Sequence, residues 1–398
     1  MSTTHALLSI TEKIRKLLDK KLFACGVFVD LEKAFDTVNH QILISKLDHY
    51  GIRGIANTWL KSYLYNRHQC VKYEDVISER MPINCGVPQG SILGPLLFLL
   101  YINDMNKALT FSTTYHFADD TNLLCSGKSL KDLRKAVNKD LKSLYSWLCA
   151  NRLSLNVDKT EFVIFQSRRQ NPRERIILKL NNKTIYESFK LKYLGLILDH
   201  QLNWKAQITE FSKKLSRAVG LMYKIRHYCP DEVTRTIYFS IFNSHVSYGL
   251  PVWGICNQDD LKKIQTLQNQ ALRAMVKQDG NDMNINKIRF DKKILHVKDL
   301  FHYQMCSLMW DYDHENLAPF LCKLCSKSNL VHDYSTRMAI RQKLHLGKIS
   351  TVKYGNNSFS YIGAKTLNDL KNLDIYNNAR NKSTFLKSLK QNLLSAYV

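Results

Sequence analysis

The spacing of apolar residues changes several times along the chain, and each change marks an element. Leu7, Leu8, Ile10, Ile14, Leu17 and Leu18 recur at helical spacing and predict an amphipathic N-terminal helix. FACGVFVDL (Phe23–Leu31) is a continuous apolar run ending in an acid, the pattern of a buried strand. A turn and helix follow as far as Gly51, then a second helix from about Gly54 to Tyr65. CVKYEDVISERMPINCG reads as a hairpin, with strands near Gln69–Tyr73 and Arg80–Cys85. Gly/Pro punctuation in GVPQGSILGP opens a strongly apolar helix. TTYHFADDTNLLCSG is apolar, acidic, then apolar, which suits two short strands joined by a tight turn.

Ser129 to Leu148 predicts an amphipathic helix with a basic outer face, and LSLNVDKTEFVIF a loop leading into a strand. Gln166–Arg175 reads as a basic exposed loop, IILKLNNKTI as a hairpin turning at Asn181 and Asn182, and KYLGLILDHQLNW as another strand pair. Beyond Trp204 helical periodicity dominates to about Ala274, with Pro230 and Pro251 between the helices. The tail from Gly280 is less patterned.

Composition narrows the partner. The chain has 398 residues, 45% of them hydrophobic, enough for more than one packed domain. Lys and Arg number 58 against 34 Asp and Glu, a net charge of +24. That excess favours a polyanion, with nucleic acid ahead of an anionic membrane surface. The most apolar run, SILGPLLFLLYI (Ser91–Ile102), is too short to span a bilayer, and the N-terminus does not read as a secretory signal. The ten cysteines are scattered, mostly in apolar segments such as those of Cys25, Cys85, Cys125 and Cys149. This is the usage of a reduced, intracellular protein of nucleus or cytoplasm. One CxxC pair, Cys322 and Cys325, has His314 and His332 nearby but no second well-spaced ligand pair, so packed thiols are expected ahead of zinc.

The chemistry rests on acids. Asp30 closes the first predicted strand, and Asp119 and Asp120 sit at the predicted hairpin turn. Alone, each is a common strand-end or turn residue. If the strands are neighbours, three carboxylates converge, and like charges so close cannot all ionise without a cation. Magnesium fits, because it takes oxygen ligands and needs only one or two protein carboxylates beside phosphate oxygens. Two such ions serve phosphoryl transfer.

FADD, with VDLEKAFDTVNH upstream and GVPQGSILGPLLFLLYINDM between, resembles the palm of a reverse transcriptase. The likeness is to the non-LTR (LINE-type, jockey-like) retrotransposon polymerases. LSLNVDKTEFVIF and YLGLILDHQLNW are similar to that family's next two blocks, in order, and SFSYIGAKTLNDL (Ser358–Leu370) to a segment near the end of such proteins. The resemblance implies an α/β (α+β) palm with an antiparallel sheet backed by helices, then a helical thumb and a mixed C-terminal region. Palm and a remnant of fingers would occupy residues 1–200, the thumb 201–279 and the C-terminal region 280–398. The implied activity is RNA-directed DNA polymerisation, with an RNA template, a DNA primer, dNTPs and two Mg2+ ions, Mn2+ being the alternative metal.

Residue by residue, Asp30, Asp119 and Asp120 match the catalytic and metal-binding acids, Asp120 as the less essential partner. Leu31 would offer its backbone carbonyl. Phe35 matches the bulky residue under the sugar that selects deoxynucleotides, while a plain core aromatic is the alternative. Gln89 and Gly90 match the block contacting nucleotide and template, although Gly90 also suits helix entry. Lys159 matches the group that protonates pyrophosphate; a solvated lysine is the alternative. Tyr193, Leu194 and Gly195 match the turn that grips the primer end, or form an ordinary hairpin. Lys205, Lys213, Lys214, Arg217, Lys224 and Arg226 would track duplex phosphates, or form a solvated face. Most of the family's fingers, and its endonuclease, have no counterpart in these residues. Weak or no activity is therefore expected of them alone, since positioning supplies most of phosphoryl-transfer catalysis. The alternatives are a silent relic that at most binds nucleic acid, and an interaction module using the C-terminal part.

Overall fold

Strand β1 (Phe23–Val29) is the spine of a six-stranded sheet. It pairs antiparallel with β7 (Asp120–Gly127) on one side and β8 (Glu161–Phe165) on the other. β6 (Thr113–Phe117) flanks β7, while β10 (Lys183–Glu187) and β9 (Leu178–Leu180) extend the far edge. Only β8 and β10 run parallel. The predicted antiparallel sheet backed by helices is thus the observed one. The computed structural model describes residues 2–168, 170, 176–181, 183–276, 284–328 and 343–397. The exposed loop predicted at Gln166–Arg175 falls mostly outside them, as do Asn182 and His332.

One face of the sheet carries Cys25, Val27, Val29, Leu123, Cys125, Phe162 and Ile164 into a core closed by helices. These are α2 (His40–His49), α4 (Leu93–Ile102) and α5 (Leu130–Ala150). In α5, Leu133, Val137, Leu141, Leu144 and Leu148 recur every three or four residues and are all buried. That stripe is the physical content of its amphipathic pattern. Asp140, on the same helix, is 1% exposed. Its carboxylate accepts from the amides of Thr110, Phe111 and Ser112 at 2.9, 3.0 and 2.6 Å. It thereby fixes the loop that launches β6.

After α3 (Gly54–Leu64) the predicted single hairpin is instead two short ladders. β2 (His68–Gln69) pairs with β5 (Met81–Pro82), and β3 (Lys72–Tyr73) with β4 (Val76–Ile77). The Ser78 amide donates to the Val71 carbonyl at 2.9 Å, and the Ser78 hydroxyl accepts the Val71 amide at 2.9 Å in place of the second ladder bond.

Two compact units emerge, Lys21–Phe189 and Met1–Lys20 with Lys190–Val398. In the second, α1 (Thr3–Asp19) packs against the helices Leu250–Trp253, Pro319–Cys322 and Phe359–Leu370. Its buried Glu12 accepts from the Phe359 amide at 2.6 Å and the Ser360 amide at 3.3 Å. The hairpin β11 (Lys190–Tyr193) and β12 (Leu196–Asp199) leads to α6 (Lys205–Ile225), which packs on the helix Gln258–Met275. The weakly patterned tail is largely helical, with Val297–Asp313, Phe359–Leu370 and Lys382–Ser395. Val297–Asp313 touches several helices, so its buried positions form no single stripe. No helix among the described residues is long and apolar enough to cross a membrane.

Asp140→Ala leaves three backbone amides without their acceptor. It should lower the unfolding free energy by about 3 kcal/mol or more, read from urea denaturation. A loss under about 1 kcal/mol would show that the loop finds other acceptors.

Candidate active site

Register brings the acids together. β1 pairs with β7 so that Val29 faces Thr121, and one further step sets Asp30 opposite Asp120. β6 and β7 close with Phe117 facing Asp120, leaving Ala118 and Asp119 as a two-residue turn. Ala118 takes the left-handed conformation at φ +54°, the cost of so tight a reversal without glycine. Asp120 titrates above the usual carboxylate range. Partial withdrawal from water is the first cause, and the charges of Asp119 and Asp30 follow. Among the described residues none of the three side chains accepts a hydrogen bond from the protein. Nor is any group of three or more His, Cys, Asp or Glu preassembled there as a metal cage.

A loop from Leu153 to Thr160 runs alongside the exit of β1. Leu31 bridges Leu155, the Asn156 amide donates to the Asp30 carbonyl at 2.9 Å, and Glu32 donates to the Ser154 carbonyl at 3.0 Å. The Asp30 amide reaches the Thr160 hydroxyl at 3.5 Å. Lys159 rides on this loop, its amide on the Asn156 side-chain oxygen at 3.2 Å and its side chain exposed. Lys159 is thus carried close in the fold to Asp30.

A second loop is zipped to the turn after β1. The amides of Gly86 and Val87 donate to the carbonyls of Val38 and Phe35, both at 2.8 Å. Gly86 has φ +91°, and a Cβ there would come within 2.8 Å of the Asp36 carbonyl oxygen. Only glycine meets both demands. His40 bonds the Gly86 carbonyl at 2.7 Å, and Gln89 donates to Asp36 at 2.8 Å. Phe35 is half-buried, its ring centroid 4.8 Å from that of Phe98, so it is a core aromatic in contact as well as a candidate site residue. Gly90, at φ +78°, has open space around it.

Tyr193, Leu194 and Gly195 lie in the other unit. Leu194 and Gly195 form the β11–β12 turn, both left-handed at φ +42° and +82°. The Tyr248 hydroxyl donates to the Leu194 carbonyl at 2.6 Å and its ring presses on Gly195. Sequence reasoning missed this lock, because Tyr248 stands 54 positions away in no periodic pattern. It also missed Asn156, Thr160 and Gly86, each inside a motif but silent about its partner. Asp199 accepts four bonds from the amides of Gln201, Asn203 and Trp204 and so shapes LDHQLNW. On α6, Lys213, Arg217 and Lys224 are exposed and spaced four and seven apart, on one face. Lys205 is exposed, Lys214 half-buried, and Arg226 stacks on Tyr223. The Cys322 thiol meets the Leu317 carbonyl, and burial pushes Cys325 up to about 12. His314 bonds the Trp310 carbonyl.

The raised Asp120 carboxyl gives a testable sign. The folded chain holds this proton more tightly than the unfolded chain. Its contribution therefore favours folding at low pH and is lost as pH rises through the raised native value. Asp119→Asn removes one repelling charge, so Asp120 should titrate lower and stability should fall less over that interval. Carbon NMR of the carboxyl and denaturation at several pH values read both; an unmoved Asp120 titration would refute the coupling.

Residues 2–198 match the family described as reverse transcriptase (RNA-dependent DNA polymerase). The probable RNA-directed DNA polymerase from transposon BS of Drosophila melanogaster is 29% identical over 297 residues, covering 69% of this chain and 31% of that protein. The RNA-directed DNA polymerase from mobile element jockey of the same organism is 30% identical over 270 residues, 65% of this chain and 29% of that one. The matched part is thus about a third of each relative's length. A telomerase structure from Candida albicans aligns over 76% of this chain and 49% of that one at 14% identity and a TM-score of 0.42, too loose a likeness to add weight. Over residues 2–198 this chain belongs to the reverse transcriptase family, in the branch carried by non-LTR retrotransposons.

Proposed function

We propose that this chain is the polymerising part of a retrotransposon reverse transcriptase, joining deoxynucleotides to a primer 3′ hydroxyl along an RNA template. The supporting observation is the meeting of Asp30 and Asp120 at adjacent strand ends with Asp119 in the turn beside them. Their oxygens are the donors magnesium prefers, and manganese takes the same set. The lack of protein donors to these carboxylates among the described residues, and the raised Asp120, suit a site completed by cations. Asp30 and Asp119 would hold two ions, with Asp120 the lesser partner and the Leu31 carbonyl beside them. When bound, such ions activate an attacking hydroxyl and stabilise the leaving oxygen.

The remaining residues position the substrates. Phe35, braced by Phe98, forms a floor under the sugar that leaves no room for a 2′ hydroxyl. Gln89, tied to Asp36, and Gly90, with its open surroundings, face nucleotide and template. Lys159 delivers a proton to departing pyrophosphate. The Tyr193–Gly195 turn, locked by Tyr248, grips the primer end. Lys213, Arg217 and Lys224 follow the phosphates of the template–primer duplex by charge and shape. Palm, thumb and C-terminal roles map to residues 1–200, 201–279 and 280–398. The ten free cysteines suit work inside the cell, in nucleus or cytoplasm.

Primer extension on an RNA template with magnesium tests the reading. The chain alone should incorporate deoxynucleotides only weakly, and Asp119→Ala should abolish what incorporation there is. No incorporation by the parent, with duplex binding intact, would leave only a nucleic-acid binder. Replacing Lys213, Arg217 and Lys224 together by Ala should flatten the dependence of log affinity on log salt by about 3. An unchanged slope in a binding titration would remove that face from the duplex contact.

A further inference from the structure

The motif SFSYIGAKTLNDL has no task in the polymerase reading. It forms the helix Phe359–Leu370 with its N-cap, Ser358, in the unit that contains α1. Beside its first turn lies a cavity of about 200 Å³, bordered by Arg15, Lys16, Asp19, Lys348, Tyr354 and Ser358 among others.

Two of these groups are out of place unless something binds there. Arg15 is 3% exposed, yet among the described residues it has no hydrogen-bond acceptor and no ion pair. Tyr354 is also 3% exposed, and its hydroxyl has no partner among the described residues. A buried guanidinium and a buried hydroxyl left unmatched are both costly. The strain is visible in Arg15, whose pKa is pushed down to about 10, chiefly by burial.

The nearby acids are already committed. Asp19 accepts from the amides of Ser350 and Thr351 at 3.2 and 2.7 Å, and from the Thr351 hydroxyl at 2.7 Å. Glu12 caps the helix Phe359–Leu370 and pairs with Lys16 at 3.2 Å. That helix end is therefore occupied. Arg15, Lys16 and Lys348 outweigh Asp19, so the border keeps a positive excess. A tetrahedral oxyanion offers the several acceptors that a guanidinium fork, an ammonium and a phenol can share. The volume equals roughly six or seven liquid waters, enough for a phosphate group.

We propose that this cavity is a phosphate-binding site, with Arg15 and Tyr354 as buried anchors and Lys348 at the rim, that takes a terminal or backbone phosphate of a nucleotide or nucleic acid.

The full chain tests it, with inorganic phosphate as the probe against chloride and acetate at matched ionic strength. Phosphate should raise the unfolding temperature in a saturable way beyond either control. Tyr354→Phe removes only an unpartnered hydroxyl, so the free protein should melt no lower than the parent while phosphate binds about tenfold more weakly. Lys348→Ala, on the surface, should weaken it several-fold. Arg15→Met should abolish the effect; if that variant does not fold, the other two decide. Adenosine 5′-monophosphate and an RNA oligomer without terminal phosphate then compete with inorganic phosphate. Competition by the first assigns a terminal phosphate, and by the second a backbone one. Failure of both, no stabilisation beyond the controls, or an equal response in the parent, Tyr354→Phe and Lys348→Ala, would overturn the proposal. The readout is independent of DNA synthesis, so it stands or falls apart from the polymerase reading.

Discussion

Asp30, Asp119 and Asp120 repel one another, and the Lys21–Phe189 unit holds them close in spite of it. The means are covalent order and backbone pairing. β1 is clamped between β7 and β8, so Asp30 cannot retreat without unzipping two ladders. A slip of one residue would turn Val27 and Val29 out of the core, which makes the register stiff. Ala118 accepts a left-handed conformation so that Asp119 can stand in the turn. The loops 153–160 and 86–90 then fasten to the first residues beyond β1. Both site loops are thus referenced to one strand end.

This explains which parts were legible beforehand. β1 and the β6–β7 pair announce themselves, because a buried strand is a continuous apolar run and a hairpin needs a short break. The acids were readable as strand-end and turn residues, and their convergence needed only the strands to be neighbours. Partnerships carried by backbone or by distant side chains left no such trace. Gly86 looks like loop punctuation until the Asp36 backbone is found against it. Ser78 looks like a residue of the turn between two strands until its hydroxyl takes the Val71 amide. Glu12 reads as one polar position on an amphipathic helix, yet its partners lie 347 and 348 residues further on. For the same reason α1, which precedes β1 in sequence and was grouped with the palm blocks, packs in the unit that holds Phe359–Leu370.

Two sets of carboxylates differ in what surrounds them. Asp140, Asp199 and Glu12 are buried and each gathers several backbone amides, so their charges are satisfied within the protein. They organise a loop, a helix start and a helix cap. Replacing any of them would damage folding first. Asp119 and Asp120 are exposed and Asp30 half-buried; none collects a donor among the described residues, and the charges of Asp119 and Asp30 help to raise Asp120.

The same criterion applies to the opposite charge. Lys46, Lys263 and Lys382 reach acids at 2.6, 2.8 and 2.5 Å, and each of those pairs is accounted for within the fold. Arg15 is more deeply buried than any of them and has neither acceptor nor ion pair among the described residues. The fields of Glu12 and Asp199 offset its desolvation only in part, so its retention beside a cavity calls for a further cause. Burial without a hydrogen-bond or ion-pair partner, more than charge as such, is what sets Arg15 apart from these paired lysines among the described residues.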